Sequence, residues 1–137
     1  MRQLDVACII DDDELFTYVL AKQMEVIGFC KTTLVFQNGQ DALNYLRPIV
    51  ESAGELPSVI LLDLNMPVLD GWQFLDEFVR LRPGRKIAVY IVSSSIDAAD
   101  HEKALAYKEV ANFYIKPVTE GNLLEILNEM MPAGFKE

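Results

Sequence analysis

The chain has one histidine, His101, and two cysteines, Cys8 and Cys30, among its 137 residues. With no CxxC pair and no histidine spaced near either cysteine, a thiolate or imidazole metal site has no ligands to draw on. The cysteines lie in apolar, strand-like surroundings and read as buried thiols of a reducing compartment. Long apolar runs are absent too. Hydrophobic residues make up 51% of the chain, yet no run approaches the roughly 18 residues that a spanning helix needs. The opening "MRQLDVACIIDDD" brings acids early and carries no cleavage-site pattern, so no signal peptide is expected and the cytoplasm is the expected location. Basic residues are the last shortage. Twelve Lys and Arg against 21 Asp and Glu give a formal charge of −9, the wrong sign for a phosphate-backbone footprint, so direct nucleic-acid binding is not expected.

What is present is an alternation. Five apolar or β-branched stretches, "DVACII" (5–10), "KTTLVF" (31–36), "SVILLD" (58–63), "KIAVYIV" (86–92) and "VANFYI" (110–115), read as strands. The third and fourth are almost continuously apolar, as suits strands buried on both faces of a parallel sheet. Helical patterns separate them. Residues 14–27 repeat Leu15, Phe16, Val19, Leu20 and Ile27 on a 3.6-residue period and stop at Gly28, a C-terminal signal. Residues 39–47 carry Ala42, Leu43 and Leu46 until Pro48, and 71–82 carry Phe74, Leu75, Phe78 and Val79. Residues 97–108 start at the cap candidate Asp97, and 120–131 follow Thr119. The segment "RPIVESAGELPS" (47–58) reads as a helix end plus a surface loop. This (βα)5 order implies an α/β fold, a doubly wound five-stranded parallel sheet with right-handed crossovers. A length of 137 residues suits one domain, with a core over about 4–131.

In such sheets, ligands bind beyond the carboxyl ends of the strands. There the sequence places "DDD", Asp11 to Asp13, after the first strand and Asp63 after the third. Carboxylates gathered at one edge repel, and a cation would relieve them. Oxygen ligands without histidine or thiolate favour Mg²⁺ or Mn²⁺. The fourth strand ends in hydroxyls from Ser93 onward, and the fifth in Lys116, held extended by Pro117. Carboxylates, a divalent ion, a hydroxyl and a lysine around one aspartate suit a phosphoryl group, with Asp63 as nucleophile.

These residues, in this order, resemble the response-regulator receiver domains of two-component signalling over essentially residues 4–131. The flavodoxin-like receiver fold is thereby implied. The resemblance matches the acidic pair to Asp11 and Asp12 and the phosphoacceptor to Asp63 within "DLNMPVLDG". It matches the hydroxyl to Ser93, the lysine to Lys116 in "KPV" and the switch aromatic to Phe113. It implies Mg²⁺ held by Asp12, Asp63, the Asn65 carbonyl and, through water, Asp11. It implies phosphoryl transfer from a sensor histidine kinase or a histidine phosphotransfer protein. It also implies a population shift of the Ser93 loop and Phe113, read by a protein that docks on the face of the fourth helix, fifth strand and fifth helix. Serine stands where threonine is commoner, and phenylalanine where tyrosine is frequent. Phe113 has no hydroxyl, so its switching would rest on packing.

The remaining residues carry plainer readings. Asp13 caps the first helix, Asp70 with Gly71 shapes the entry to the third, and Met66 and Pro67 line the loop beside Asp63. Trp72 packs, Ser94 and Ser95 are ordinary loop hydroxyls, and His101 is a surface side chain. Leu124, Leu127 and Met131 of the fifth helix suit either the core or a partner contact. A pseudo-receiver scaffold would lack an acid, the acceptor or the lysine, and all are present. A small phosphohydrolase would want a second acid two residues after its nucleophile, where Asn65 stands, and a nucleotide-binding flavodoxin-like protein would want a phosphate loop where "IDDDEL" repels. The chain starts at Met1 and ends six residues past the last helix, in "PAGFKE". The expectation is a stand-alone protein without an output domain, rather than a piece of a larger kinase or regulator.

Overall fold

Every apolar run becomes a strand and every 3.6-residue pattern a helix, as the computed structural model shows for residues 3–52 and 55–131. The strands are β1 (Leu4–Ile10), β2 (Cys30–Phe36), β3 (Val59–Leu62), β4 (Ala88–Ser93) and β5 (Val110–Ile115). The helices are α1 (Glu14–Ile27), α2 (Gly39–Leu46), α3 (Gly71–Leu81), α4 (Ala98–Leu105) and α5 (Glu120–Met130). The strands pair in the order β2-β1-β3-β4-β5, all parallel. This is the flavodoxin-like (βα)5 receiver fold.

Two cores flank the sheet. One side of the strands, with Ile10, Ile60, Leu62, Val89, Ile91 and Phe113, meets Leu43, Phe74, Phe78 and Ala104 of α2, α3 and α4. The other side, with Ile9, Leu61, Tyr90 and Tyr114, meets Leu20 and Met24 of α1 and Leu123 and Ile126 of α5. Side chains alternate along a strand, and the continuously apolar β3 and β4 feed both cores.

The helix ends follow from their caps. Asp13 accepts from the Phe16 N–H, and Gly28 takes the left-handed conformation at the end of α1. Asp70 with Gln73, and Thr119 with Asn122, form reciprocal capping boxes at α3 and α5, each contributing about 1 kcal/mol. Asp97 caps α4, which runs only to Leu105. Pro48 lies in a short 3-10 turn, Arg47–Ile49, after α2. Of the loop over 47–58, residues 53 and 54 lie outside the described residues, as do Met1, Arg2 and the terminal "PAGFKE".

Some expectations are corrected. Leu15 and Val19 of α1 are exposed, and Thr17, Leu20 and Met24 face the sheet. The helix carries two apolar stripes, and periodicity alone does not say which one is covered. Cys8 is fully buried, but Cys30 is only half-buried, its Sγ 3.2 Å from the Thr33 hydroxyl. In α5, Leu127 and the following Met131 are buried, whereas Leu124 is exposed.

Candidate functional site

Backbone pairing brings the strand ends to one level. The Asp63 N–H donates to the Ile10 carbonyl at 2.9 Å, the Asp11 N–H to Phe36 at 3.0 Å and the Lys116 N–H to Ser93 at 2.9 Å. Residues just past β1, β3, β4 and β5 therefore share the C-terminal edge of the sheet. Carboxylate oxygens of Asp11, Asp12 and Asp63 lie within 4.8 Å of one another. Asp11 and Asp63 are buried, and Asp12 is exposed.

Lys116 supplies the opposing charge. Its Nζ is 2.8 Å from Asp11 Oδ2 and 3.8 Å from Asp63 Oδ2, and it rests over the Phe16 ring at 4.2 Å from the centroid. The Lys116–Pro117 peptide bond is cis. The Asp63 Oδ1 accepts from the Asn65 backbone N–H at 3.4 Å, and Asp11 Oδ1 from the Asp13 N–H at 2.9 Å. Burial pushes the Asp63 pKa up to about 6. The negative charge of Asp11 adds to this, Lys116 and the Asn65 N–H oppose it, and Asp12 adds a smaller push upward. One lysine does not neutralise three clustered acids, and an all-oxygen donor set of this kind fits a hard divalent cation.

Ser93 is fully buried, and its Oγ accepts from the Ser95 N–H at 3.1 Å. Phe113 is 8% exposed and belongs to the core between the sheet and α2–α4. The expected surface position of His101 is wrong. Its ring is half-buried and stacks on Phe113 with centroids 3.7 Å apart.

Three further residues escaped sequence reasoning. Phe16 roofs Lys116, and its place in the first turn of α1 gave no signal of that contact. Ser95 gathers hydrogen bonds from its whole loop. A Cβ on Gly71 would lie 2.5 Å from the Asp63 carbonyl oxygen and 2.7 Å from Leu64 Cα, so α3 reaches the Asp63 loop only because residue 71 lacks a side chain. The Gly71 N–H secures that approach by donating to Leu64 O at 2.9 Å. The adjacent Asp-Gly pair was legible as a turn, but not as this contact.

A sequence profile decides the family: that of the response regulator receiver domain matches residues 7–128. The chain belongs to the response regulator receiver domain family. This receiver domain is similar to a two-component response regulator from Cytophaga hutchinsonii, with 30% identity and a TM-score of 0.86 over 94% of this chain and 98% of that one. It is 30% identical to protein PilH of Pseudomonas aeruginosa over 90% of this chain and 94% of PilH. The receiver domain of the sensor histidine kinase PA1611 from Pseudomonas aeruginosa shares the fold, at 19% identity and a TM-score of 0.75 over 92% of this chain and 96% of that one. That protein was solved with a magnesium ion coordinated in its active-site cleft. The receiver domain spans only 22% of the transcriptional regulator NtrC of Escherichia coli, which it also matches. Its acidic cluster and the Lys116 ion pairs match a receiver phosphorylation site, and the architecture is that of a phosphoacceptor signalling protein rather than a conventional enzyme. No helix among the described residues is long and apolar enough to cross a membrane.

Proposed function

We propose that this protein is a phosphorylation-dependent switch that accepts a phosphoryl group on Asp63 from a phosphohistidine of a sensor histidine kinase or phosphotransfer protein. The observation that carries this reading is the convergence of Asp11, Asp12 and Asp63 within 4.8 Å, with Lys116 ion-paired to two of them. A backbone N–H and the lysine ammonium approach both buried acids, Asp11 at 2.9 and 2.8 Å and Asp63 at 3.4 and 3.8 Å, which leaves Asp63 the less tightly engaged of the two.

Asp11, Asp12, Asp63 and the Asn65 carbonyl would hold Mg²⁺, with Mn²⁺ as a substitute. Such an ion supplies charge neutralisation at the phosphoryl oxygens. An Asp63 carboxylate oxygen attacks phosphorus as the bond to the donor imidazole breaks, giving an acyl phosphate and a neutral histidine. Lys116 stabilises charge on a phosphoryl oxygen, and the Ser93 hydroxyl bonds another once its loop turns inward. Water attacking in line later resets the switch. The response is a shift between two arrangements of the Ser93 loop and Phe113, read by a protein on the α4–β5–α5 face. The two free thiols suit the cytoplasm, where we place it.

Intact mass after incubation with acetyl phosphate, with and without Mg²⁺, tests the reading. One phosphoryl group should add to the natural chain in a Mg²⁺-dependent manner and be absent from Asp63→Asn. Failure to take up either that group or beryllofluoride would leave a scaffold instead.

A further inference from the structure

The stacked imidazole stands between the two groups that the switch must link. Ser93 Oγ accepts from the Ser95 N–H at 3.1 Å. Ser95 commits its remaining polar atoms to the start of α4. Its hydroxyl donates to Asp100 Oδ2 at 2.7 Å and accepts from the Asp97 N–H at 3.2 Å, and its carbonyl lies 3.4 Å from His101 Nε2. A carbonyl only accepts, so this contact requires the proton on Nε2. The other side of the same ring lies on Phe113, with 23° between the planes.

Phe113 alone has no atom with which to bond the Ser93 loop. The His101 ring provides one, since it offers a face to the phenyl ring and an N–H to the loop carbonyl. The helix that carries it is lightly anchored. Ala104 is the only fully covered side chain of α4. Besides the Ser95 bonds to Asp97 and Asp100, the helix is attached by His101 on one flank and, on the other, by Lys103 over the Trp72 ring at 4.2 Å and by Tyr107, just past the helix, bonded to Asp76. A helix held by one small apolar residue and a few ring and polar contacts can change position without opening a core.

We infer that His101 is a positioning residue that holds Phe113 in its buried place and ties it through Ser95 to the Ser93 hydroxyl, so that Phe113 and His101 move as one two-ring switch. This inference rests on the phosphoacceptor reading of Asp63. When Ser93 Oγ turns toward a phosphoryl group it releases the Ser95 N–H. Ser95 then carries Asp97, Asp100 and His101 with it, and the stack of His101 on Phe113 rearranges. Two discrete arrangements of one contiguous contact chain are what such coupling requires.

The full chain, His101→Ala and His101→Phe would be compared by nuclear magnetic resonance. The two readouts are the solvent exposure of the Phe113 ring toward a neutral gadolinium chelate and the ring shifts on adding beryllofluoride with Mg²⁺. Before loading, ring exposure should rise several-fold in His101→Ala and stay low in His101→Phe, which keeps a ring. After loading, both variants should take up beryllofluoride as the natural chain does, while the Phe113 shift seen in the natural chain falls by at least half. A Phe113 ring as protected in His101→Ala as in the natural chain, or an undiminished shift on loading, would overturn the inference. If no chain binds beryllofluoride, the phosphoacceptor reading fails, and the exposure comparison alone decides whether His101 holds Phe113. Should His101→Ala fail to fold, the loading shift in His101→Phe decides instead.

Discussion

Lys116 sits 1.0 Å nearer to Asp11 than to Asp63, at 2.8 Å against 3.8 Å. The ammonium thus lies closer to the deeper of its two acids and only partly offsets the burial of Asp63. Burial is the main cause of the upward push on the Asp63 pKa; the Asp11 charge adds to it, and Lys116 opposes it.

A pKa raised to about 6 makes Asp63 a liability in its ionised form. The sign follows from proton linkage. The folded chain holds this proton more tightly than the unfolded chain, so the stabilisation is complete below the unfolded value and is lost as pH rises through about 6. Without added Mg²⁺, Asp63→Asn should therefore stabilise the fold at pH 7 by on the order of 2–3 kcal/mol. Urea denaturation at pH 5 and pH 7 checks this, and the advantage of the variant should shrink at pH 5.

Removing the lysine charge should act in two ways. Lys116→Met keeps much of the apolar stem over Phe16 but leaves Asp11 and Asp63 facing each other. The Asp63 pKa should rise further, visible in a carboxyl carbon titration without Mg²⁺. Phosphorylation by acetyl phosphate should slow by about 100-fold, the scale on which lost charge-stabilising donors act.

Gly71→Ala should destabilise the protein by on the order of 3 kcal/mol, because its Cβ meets backbone rather than a side chain that can turn away. Gly84→Ala is the matched control. Its nearest neighbours would be 3.5 Å away, so its urea midpoint should hardly move. Since the Gly71 clash falls on the Asp63 carbonyl, that variant should also lose phosphorylation.

Val68 is a β-branched residue at φ 70°, and its side chain is 81% exposed. The left-handed backbone costs about 1–2 kcal/mol, with no buried contact to offset it. Val68→Gly should raise stability by about 0.5–1 kcal/mol after the entropy penalty of glycine. A rise of a few degrees in the thermal midpoint, with phosphorylation intact, is the expected outcome.

The site was legible where charge contradicted its setting. Acids that close apolar runs, and a lysine that closes another, cannot be core residues, and strand topology then brings them to one edge. His101 was not legible, because its neighbours in sequence are polar and its partner Phe113 lies on another element. The covered side of α1 was hidden for a related reason. Leu15 and Val19 fit the helical period as well as Leu20 does, and only the sheet decides between them. Gly71 was read correctly as part of a turn, yet a close backbone approach has no signature in composition.

The sheet order has a consequence for how the protein comes into being. β1 pairs with β3 across the whole of α1, β2 and α2, and Lys116, just past β5, is placed by the pairing of β5 with β4. Contacts this distant along the chain carry a loop-closure cost that local contacts escape. A growing polypeptide thus displays its acids well before it acquires the cation that tempers them, and a kinase meeting a half-made copy would find no competent acceptor. On the phosphoacceptor reading of Asp63, signalling capacity would thus belong only to finished molecules.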